Sequence, residues 1–356
     1  MRIKRLRDYL MNNNVDAILI SNISNVIYFS TFDSTNVHLF VTDKAQYLIT
    51  DFRYQTAAQT LAHEFEIVIS GENDSLSSII NKIASKAKLR TIALEGDYLS
   101  RNQWLHYERS LHSRLVDINI DPLRAIKDVK EVEVIKEAIR IAEEALAETL
   151  SYIQVGQSER DVAAYLEYQM LKRGASEKSF ATIIASGSRG SLPHGVASDK
   201  LIQDNELITI DFGCRYQNYC SDITRTVAIG TIDPKLLKIY NTVLEANLIG
   251  IEALKHNTSG YEVDRIVRDF IYKEGYEGHF EHGLGHGIGI DIHEAPRLRN
   301  DMDHHLEPGN IVTVEPGIYV DGLGGIRIED DVLITDDGIE VLTNFNKQLI
   351  YVGGKV

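Results

Sequence analysis

Two aspartates lie close together in the second half of the sequence, at the ends of apolar runs. Asp211 follows one run and Asp222 precedes the next, with a polar turn centred near Tyr216-Gln217 between them. A hairpin of that register places the two carboxylates opposite each other on one face. Two anions in that position repel each other unless a proton or a cation lies between them. The alternative is a pair of solvated aspartates at strand ends.

Histidines are concentrated further along the chain, between positions 279 and 293. Four of them occur there in 15 residues, with glycines between them, in the sequence HFEHGLGHGIGIDIH. We expect a loop in which the glycines allow close approach to a ligand and a positive φ. His279 is expected to be a surface or hydrogen-bonded imidazole rather than part of the site. The cluster is unlike ordinary core packing and indicates a functional site.

Two glutamates then follow at the ends of apolar strands, Glu315 in TVEPGIY and Glu329 in GIRIED. An unpaired charge in such a place is costly. Two aspartates, two glutamates and one histidine form an oxygen-rich ligand set, which suits a pair of Mn²⁺ or Co²⁺ ions better than a structural zinc. Cations held in such a pair can lower the pKa of a shared water.

The elements that must position these side chains fall into two domains, predicted as 1–122 and 123–356. The first alternates helix and strand patterns and is predicted to be an α/β domain. Its predicted helices are 2–14, 53–65 and 75–88, and its predicted strands are 17–21, 38–42, 46–50, 66–70, 91–95 and 115–119. Asp121-Pro122 and the polar stretch after it indicate a hinge. The second repeats a helix-helix-strand order twice, and Ser158 is a predicted helix N-cap without a capping box. Its predicted helices are 131–152, one after 158, 234–255 and 260–274, and its predicted strands are 180–184, 207–213, 218–229, 311–314 and 326–334.

Bulk properties exclude several classes of protein. The 356 residues carry a formal charge of −15, which argues against a nucleic-acid partner. No run approaches the roughly 18 apolar residues of a membrane span, and the basic N-terminus has no signal-peptide core behind it. Cys214 and Cys220, the two cysteines, are expected to be free thiols. We therefore expect a cytoplasmic protein without a membrane partner.

In their order and spacing, these motifs resemble the Xaa-Pro peptidases. The residues concerned are Asp211, SDITRT with Asp222, HGLGHGIG, HE, TVEPGIY and GIRIED, within about residues 124–345. That group comprises prolidase and aminopeptidase P in the pita-bread metallopeptidase superfamily. The sequence TDFRY at 50–54 resembles part of its small N-terminal domain. The resemblance implies an α/β, creatinase-like N-terminal domain and an α+β pita-bread catalytic domain.

The same resemblance implies two divalent metal ions per chain, with Mn²⁺ preferred and Co²⁺ or Zn²⁺ as alternatives. Asp222 and Glu329 would bridge the ions, and Asp211 would serve one of them. His286 and Glu315 would serve the other. Three further histidines and one arginine match the group's pattern: His194, His282, His293 and Arg327.

Roles for these side chains follow from the implied reaction, cleavage of the bond before proline in small peptides. Glu315 is the candidate proton acceptor and later donor. His293 is placed to support the oxyanion and His282 to hold the substrate, while His194 would line the proline side. Arg327 is expected to pair with a ligand carboxylate and to support catalysis.

Arg297 could pair with a substrate's free carboxylate in a bidentate fork, or it could be a surface arginine. A group that closes the pocket beyond proline would favour a Xaa-Pro dipeptidase, which we prefer, over an aminopeptidase P acting on longer peptides. The resemblance also implies a homodimer.

More remote alternatives are a creatinase-like hydrolase and a non-catalytic binding protein of the same fold. Both typically lack part of the metal-ligand set, and this sequence has all of it. A methionine aminopeptidase is less favoured, because it lacks this kind of N-terminal domain.

Overall fold

A computed structural model describes residues 2–72 and 74–353. The chain divides into two compact units, Met1–Arg124 and Ala125–Val356. The domain limits taken from the sequence, 1–122 and 123–356, stay a prediction. Among the described residues, no helix is both long and apolar enough to cross a membrane.

The first unit is built on a six-stranded sheet with strand order β4-β3-β2-β1-β5-β6. The pairs β1-β2 and β2-β3 are antiparallel, whereas β3-β4, β1-β5 and β5-β6 are parallel. The predicted strands of this unit are confirmed, with ends shifted by no more than two residues. Their bounds are β1 Ala17–Ile20, β2 Val37–Thr42, β3 Gln46–Asp51, β4 Glu66–Ser70, β5 Thr91–Leu94 and β6 Arg114–Asp117.

Among residues 2–72 and 74–124, the structure has five α-helices, and two of them were not predicted. The eight residues of α2 are buried almost throughout, so they show no polar face and no helical period. In α5 only Tyr107 is buried, which leaves a nearly polar sequence. The helix predicted from Arg53 to Phe65 is shorter, a 3-10 turn Phe52–Tyr54 followed by α3. The bounds are α1 Arg2–Asn12, α2 Ile23–Ser30, α3 Gln55–Leu61, α4 Leu76–Ala87 and α5 Arg101–Ser110.

The second unit repeats one arrangement, two helices followed by a mainly antiparallel sheet, and the sequence predicted this helix-helix-strand order. The helices are α6 Val129–Tyr152, α7 Glu159–Lys172, α8 Pro234–Ala253 and α9 Gly260–Ile271. Ser158 caps α7 as predicted, but the absence of a capping box was wrong. The box partner is Asp161, whose side chain accepts the Ser158 N–H while Ser158 Oγ accepts the Asp161 N–H.

Two larger sheets carry the predicted metal ligands in their strands or directly beside them, with orders β20-β12-β9-β8 and β14-β13-β15-β18-β19. Smaller sheets have the orders β11-β10-β7 and β16-β17. The bounds are β7 Glu177–Lys178, β8 Ile183–Ser186, β9 Glu206–Phe212, β10 Cys214–Tyr216, β11 Tyr219–Cys220, β12 Ile223–Ile229, β13 Gly285–Gly287, β14 Glu294–Leu298, β15 Ile311–Val314, β16 Gly317–Val320, β17 Gly324–Arg327, β18 Asp330–Ile334, β19 Ile339–Val341 and β20 Tyr351–Val352.

Each helix pair buries its apolar face in its own core. Ile141 of α6 and Leu166 of α7 lie in a cluster with Ile210 of β9. In the other half, Val267 of α9 lies in a cluster with Val332 of β18. The site residues therefore project from sheets whose opposite faces are fixed by helices.

The predicted hairpin register was wrong by two residues. In the observed pairing Asp211 lies opposite Thr224, and the turn consists of Gln217 and Asn218, both with positive φ. Asp222 therefore lies diagonal to Asp211 on the same face, not directly opposite.

Three predicted strands also differ from the observed ones. The strand predicted at 180–184 lies at β8, three residues later in its start. The segment 218–229 is split into β11 and β12, and 326–334 is split into β17 and β18. Within 326–334 the break occurs at Glu329, whose backbone N–H donates to the carbonyl oxygen of Thr224 at 3.2 Å. The chain thus passes from the β16-β17 sheet to the five-stranded sheet at Glu329, one of the predicted metal ligands.

Candidate metal centre and substrate cavity

The predicted metal ligands lie at strand ends that meet in one place. Asp211 is near the end of β9, and Asp222 directly precedes β12. Glu315 directly follows β15, and Glu329 directly precedes β18. With His286 in the middle of β13, all of them line one cavity of about 460 Å³.

Distances within this group are those of side chains that share a ligand. His286 Nε2 lies 3.3 Å from Glu315 Oε1 and 3.7 Å from Asp222 Oδ2. Potential ligand atoms of Asp222, His286 and Glu329 all lie within 4.8 Å of one another. A single divalent cation could contact all three at ordinary coordination distances.

Burial of several carboxylates close together raises their pKa values. Burial, followed by repulsion from Glu329 and Asp211, raises the pKa of Asp222 well above its usual value. Burial also raises the pKa of Glu315 to about 8 and that of Glu329 well above its ordinary range. Asp211 Oδ1 and Asp222 Oδ1 are buried and accept no hydrogen bond from the described residues. Divalent cations would contact these oxygens and neutralise the charge, so the residues present fit such ions.

His286 is held in the tautomer that a metal ligand needs. Its Nδ1 lies 3.2 Å from the carbonyl oxygen of Gly287, which requires Nδ1 to carry the proton. Nε2 therefore keeps its lone pair and faces Glu315 and Asp222. Burial lowers the pKa of His286 to about 3, so the ring stays neutral. Thr313 holds the backbone of His286, because its hydroxyl accepts the backbone N–H of His286 at 3.0 Å.

Arg327 and Thr224 connect the carboxylates to one another. The Arg327 Nη2–H donates to Asp211 Oδ2 at 2.5 Å, and its Nε–H donates to Thr224 Oγ1 at 3.3 Å. The Thr224 hydroxyl donates in turn to Glu329 Oε2 at 2.6 Å. Thr224 is 0% exposed, so these bonds are shielded from water. Thr224 was not identified from the sequence, because it contacts Glu329 across 105 positions.

Tyr319 extends this network to His282, and sequence reasoning also missed its part in it. Arg327 Nη1–H donates to Tyr319 Oη at 2.6 Å, and Tyr319 Oη lies 3.0 Å from His282 Nε2. His282 Nδ1 lies 2.8 Å from Gly283 O and therefore carries the proton, so the tyrosine O–H donates to Nε2. The pair Asp321-Gly322 between β16 and β17 is a hairpin signal that could have placed Tyr319 beside Arg327.

The remaining predicted residues line the same cavity: His194, His282, His293 and Arg297. The rings of His286 and His293 meet edge to face, with centroids 4.3 Å apart. The Arg297 guanidinium pairs with no side chain among the described residues, whereas neighbouring Arg299 pairs with Asp301 at 2.9 Å. His279 lies outside this lining, and its Nδ1 is 2.9 Å from Tyr319 O.

The glycines around His286 are required for close backbone packing, not for the positive φ or the approach to a ligand that the sequence suggested. Gly285 and Gly287 do not adopt a positive φ, and both belong to β13. A Cβ on Gly285 would lie 1.9 Å from Thr313 O, and one on Gly287 would lie 2.4 Å from Ala295 O. The absence of side chains lets neighbouring backbone, rather than a ligand, come close to β13. The expectation of a positive-φ loop was wrong.

A buried ion pair on α9 holds the segment before β13. Asp264 is 0% exposed, and Arg268 donates to both of its carboxylate oxygens at 2.9 and 3.0 Å. Arg268 Nη2–H also donates to His282 O at 2.7 Å, and Asp264 Oδ2 accepts the Leu284 N–H at 2.9 Å. The backbone on both sides of His282 is thereby fixed. An i,i+4 charge pair is too common in helices to have been identified from the sequence as part of a site.

A fold of this kind, with carboxylates and a histidine buried at the mouth of a cavity, is that of a metal-dependent hydrolase. The model of metallopeptidase family M24 matches residues 133–336, and the creatinase/prolidase N-terminal domain matches residues 2–126. The chain belongs to metallopeptidase family M24.

Individual relatives agree with this assignment over the full length. The Xaa-Pro dipeptidase of Pyrococcus furiosus is 36% identical over 98% of this chain and 99% of that protein. The structure of a Xaa-Pro dipeptidase from Bacillus anthracis is similar with a TM-score of 0.95 and 41% identity, covering 99% of both chains. An X-Pro aminopeptidase structure from Thermotoga maritima has a TM-score of 0.91 and 38% identity, covering 99% of this chain and 100% of that one. The predicted fold class, a creatinase-like domain followed by a pita-bread catalytic domain, is confirmed.

Proposed function

We propose that this enzyme hydrolyses the peptide bond before proline in dipeptides, as a Xaa-Pro dipeptidase. The observation that carries the proposal is the position of Arg297. Its guanidinium lines the cavity that also holds the predicted ligands, and it pairs with no side chain among the described residues. Since Arg binds carboxylates in a bidentate fork, it is suited to the free carboxylate of a short substrate. Relatives named Xaa-Pro dipeptidase support the same activity.

We propose that Asp211, Asp222, His286, Glu315 and Glu329 hold two divalent cations. The oxygen-rich set with one imidazole favours Mn²⁺, with Co²⁺ or Zn²⁺ as alternatives. When bound, such ions polarise a carbonyl and lower the pKa of a nearby water. The orphaned oxygens of Asp211 and Asp222 support this assignment.

The chain's own residues then divide the work of proton transfer and orientation. Glu315 accepts the proton of the attacking water and later gives it to the leaving proline nitrogen. His293, exposed in the cavity, donates to the oxyanion that develops on the carbonyl. Arg327 aligns Asp211 through its 2.5 Å bond. Tyr319, anchored by Arg327, fixes the ring of His282, which holds the substrate.

The preference for proline follows from the absence of an N–H on its nitrogen. A site that needs no hydrogen bond there can use the shape of the ring instead. His194 lines the cavity beside Pro193 and Val196, and we assign the proline side to this wall. An aminopeptidase P, which cleaves longer peptides, is the second candidate, favoured by the likeness to the Thermotoga maritima enzyme.

Substrate pairs that differ only at the carboxylate test the dipeptide proposal. With Mn²⁺ added, we expect the wild type to cleave Ala-Pro well and both Ala-Pro-amide and Ala-Pro-Ala poorly. Arg297→Met should lower kcat/KM for Ala-Pro by about 10–150-fold, the loss expected for a hydrogen bond to a charged group. The same substitution should leave kcat/KM for Ala-Pro-amide within about threefold.

Two outcomes would contradict parts of this proposal. Preferred cleavage of Ala-Pro-Ala by the wild type would assign the enzyme to the aminopeptidase class. Full activity after chelation, with metal content shown to be zero, would exclude the metal assignment. Restoration of activity by Mn²⁺ or Co²⁺ after chelation is the expected result.

We further propose a cytoplasmic homodimer. Both cysteines are buried free thiols, as is usual where disulfides do not form. The dimer rests on the resemblance to the Xaa-Pro peptidases. Light scattering after gel filtration measures it directly, and a mass near the 40.1 kDa of one chain would contradict it.

A further inference from the structure

The segment between β8 and residue 198 forms one wall of the cavity. It contains a 3-10 helix, Gly187–Ser191, followed by His194, and it has no long regular element of its own. Pro193, His194 and Val196 line the cavity. An irregular segment of this length keeps one conformation only if side-chain contacts hold it.

One carboxylate holds both ends of the segment. Glu159, the first residue of α7, is 0% exposed. Its Oε1 accepts the Ser186 N–H at 2.8 Å and the Ser186 hydroxyl at 2.9 Å. Its Oε2 accepts the Ser198 N–H at 3.1 Å and the Ser198 hydroxyl at 2.6 Å. Glu159 thus joins the residues that begin and end the wall.

The middle of the segment is tied to the same carboxylate. Arg189 Nη1 forms an ion pair with Glu159 Oε2, and Arg189 Nη2–H donates to Val196 O at 3.0 Å. A buried carboxylate is costly unless its oxygens are satisfied. Here an arginine, two N–H groups, two hydroxyls and the N-terminus of α7 all satisfy the charged form. Together these contacts hold Ser186, Arg189 and Ser198 in the observed arrangement of the segment.

We infer that Glu159 is a positioning residue that holds His194 against the substrate by fixing both ends and the middle of this wall. The contribution of His194 to substrate binding rests on the proposed function. The positioning role of Glu159 is independent of the proposed function, because it concerns only the conformation of residues 186–198. Glu159 contacts none of the predicted metal ligands through its hydrogen bonds.

The test compares Glu159→Gln with the matched control Asp161→Asn. Both remove one negative charge from the first turn of α7, but among the described residues the Asp161 side chain bonds only to Ser158. Hydrogen–deuterium exchange of the Mn²⁺-loaded protein should show amides of residues 187–197 exchanging about tenfold faster or more in Glu159→Gln. In Asp161→Asn they should exchange at the wild-type rate.

Kinetics with Ala-Pro provide the second measurement. We expect Glu159→Gln to lower kcat/KM by about 10–100-fold, mainly through KM, because a displaced wall loosens substrate orientation. Bound Mn²⁺ per chain should be unchanged. If the wild type does not cleave Xaa-Pro peptides, the proposed function fails while the exchange measurement still decides the positioning role.

Three results would overturn the inference. The first is that the amides of residues 187–197 exchange in Glu159→Gln at the wild-type rate. The second is that Asp161→Asn accelerates their exchange as much as Glu159→Gln does. A uniform rise in exchange over the whole chain, with loss of metal, would mean a purely structural role. Should Glu159→Gln fail to fold, Arg189→Met retains the carboxylate and removes only the central tie. Faster exchange confined to 187–197 is then expected, and its absence would also reject the inference.

Discussion

Replacement of Thr224 by valine tests whether Mn²⁺ affinity depends on a residue that contacts a predicted metal ligand and is not itself a predicted ligand. Thr224 is 0% exposed, and its hydroxyl donates to Glu329 Oε2 at 2.6 Å. Valine has nearly the same shape, so the substitution removes this donor without opening a cavity. Arg327 Nε–H loses an acceptor at 3.3 Å as well, but that bond is long and contributes less.

The magnitude follows from the charge of the acceptor. A hydrogen bond to a charged group contributes about 1.5–3 kcal/mol, and 1.4 kcal/mol corresponds to a tenfold change in an equilibrium constant. Loss of the Thr224 hydroxyl should therefore weaken Mn²⁺ binding by about 10–150-fold. Removal of a residue that orients a metal ligand typically costs 10–100-fold, so the two estimates agree.

Isothermal titration of the metal-free protein with Mn²⁺ measures this affinity. Thr149→Val on α6 is the control, since Thr149 is also 0% exposed but donates to a neutral carbonyl, Ala145 O, at 2.7 Å. We expect the control to bind Mn²⁺ like the wild type. At saturating Mn²⁺ the Thr224→Val enzyme should recover most of its kcat. A dissociation constant within twofold of the wild type would refute the assignment of Thr224 as a support of Glu329.

Two further substitutions address catalysis and pH. His293→Ala should lower kcat by about 10²–10³ with metal content and KM little changed, as for loss of one oxyanion donor, and metal analysis beside kinetics checks this; a parallel loss of metal would make His293 a ligand or its support. Burial lowers the pKa of His38 from 6.5 to about 4, so the unfolded chain binds more protons between these values and stability falls as the pH drops through that window. The loss should approach about 3 kcal/mol, and His38→Gln should reduce it. Urea unfolding followed by Trp104, the single tryptophan, reports on the first unit, and equal pH slopes for both proteins would contradict the assignment.

Local patterns determined which parts of the fold could be predicted. Glu66–Ser70 is a short apolar run with a polar residue at each end, and its predicted limits are those of β4. Ile311–Val314 is likewise β15 as predicted. The helix Ile23–Ser30 was missed because seven of its eight residues are buried, which leaves no periodicity to detect. Elements that are buried on all sides show no hydrophobic periodicity, so a single sequence does not reveal them.

Candidate site residues could be proposed from the sequence because their types and order are unusual, whereas the residues that contact and orient them could not. Asp222 and Glu329 could be proposed from carboxylates beside apolar strands. Thr224, Tyr319 and Glu159 act through contacts between distant parts of the chain, and their types are ordinary. The hairpin register also failed, since a slip of two residues keeps the same face and leaves the apolar pattern unchanged.

Equivalent positions in the two halves explain why four carboxylates from separate motifs meet. The order β12-β9-β8 in one sheet corresponds to β18-β15-β13 in the other. Asp222 directly precedes β12, as Glu329 directly precedes β18. These two residues are the ones expected to bridge the ions, and corresponding positions in two similar halves are natural places for a shared ligand.

The second helix of each half also carries a buried carboxylate that fixes a histidine-bearing segment. Glu159 of α7 holds the segment with His194, and Asp264 of α9, through Arg268, holds the backbone around His282. Both carboxylates are 0% exposed and accept backbone N–H groups at the ends of irregular segments. Sheets position the ligands, because strand pairing fixes strand ends to within a fraction of a residue spacing. Irregular segments have no such ladder of hydrogen bonds, so in each half a charged side chain on a helix holds the segment whose histidine lines the cavity.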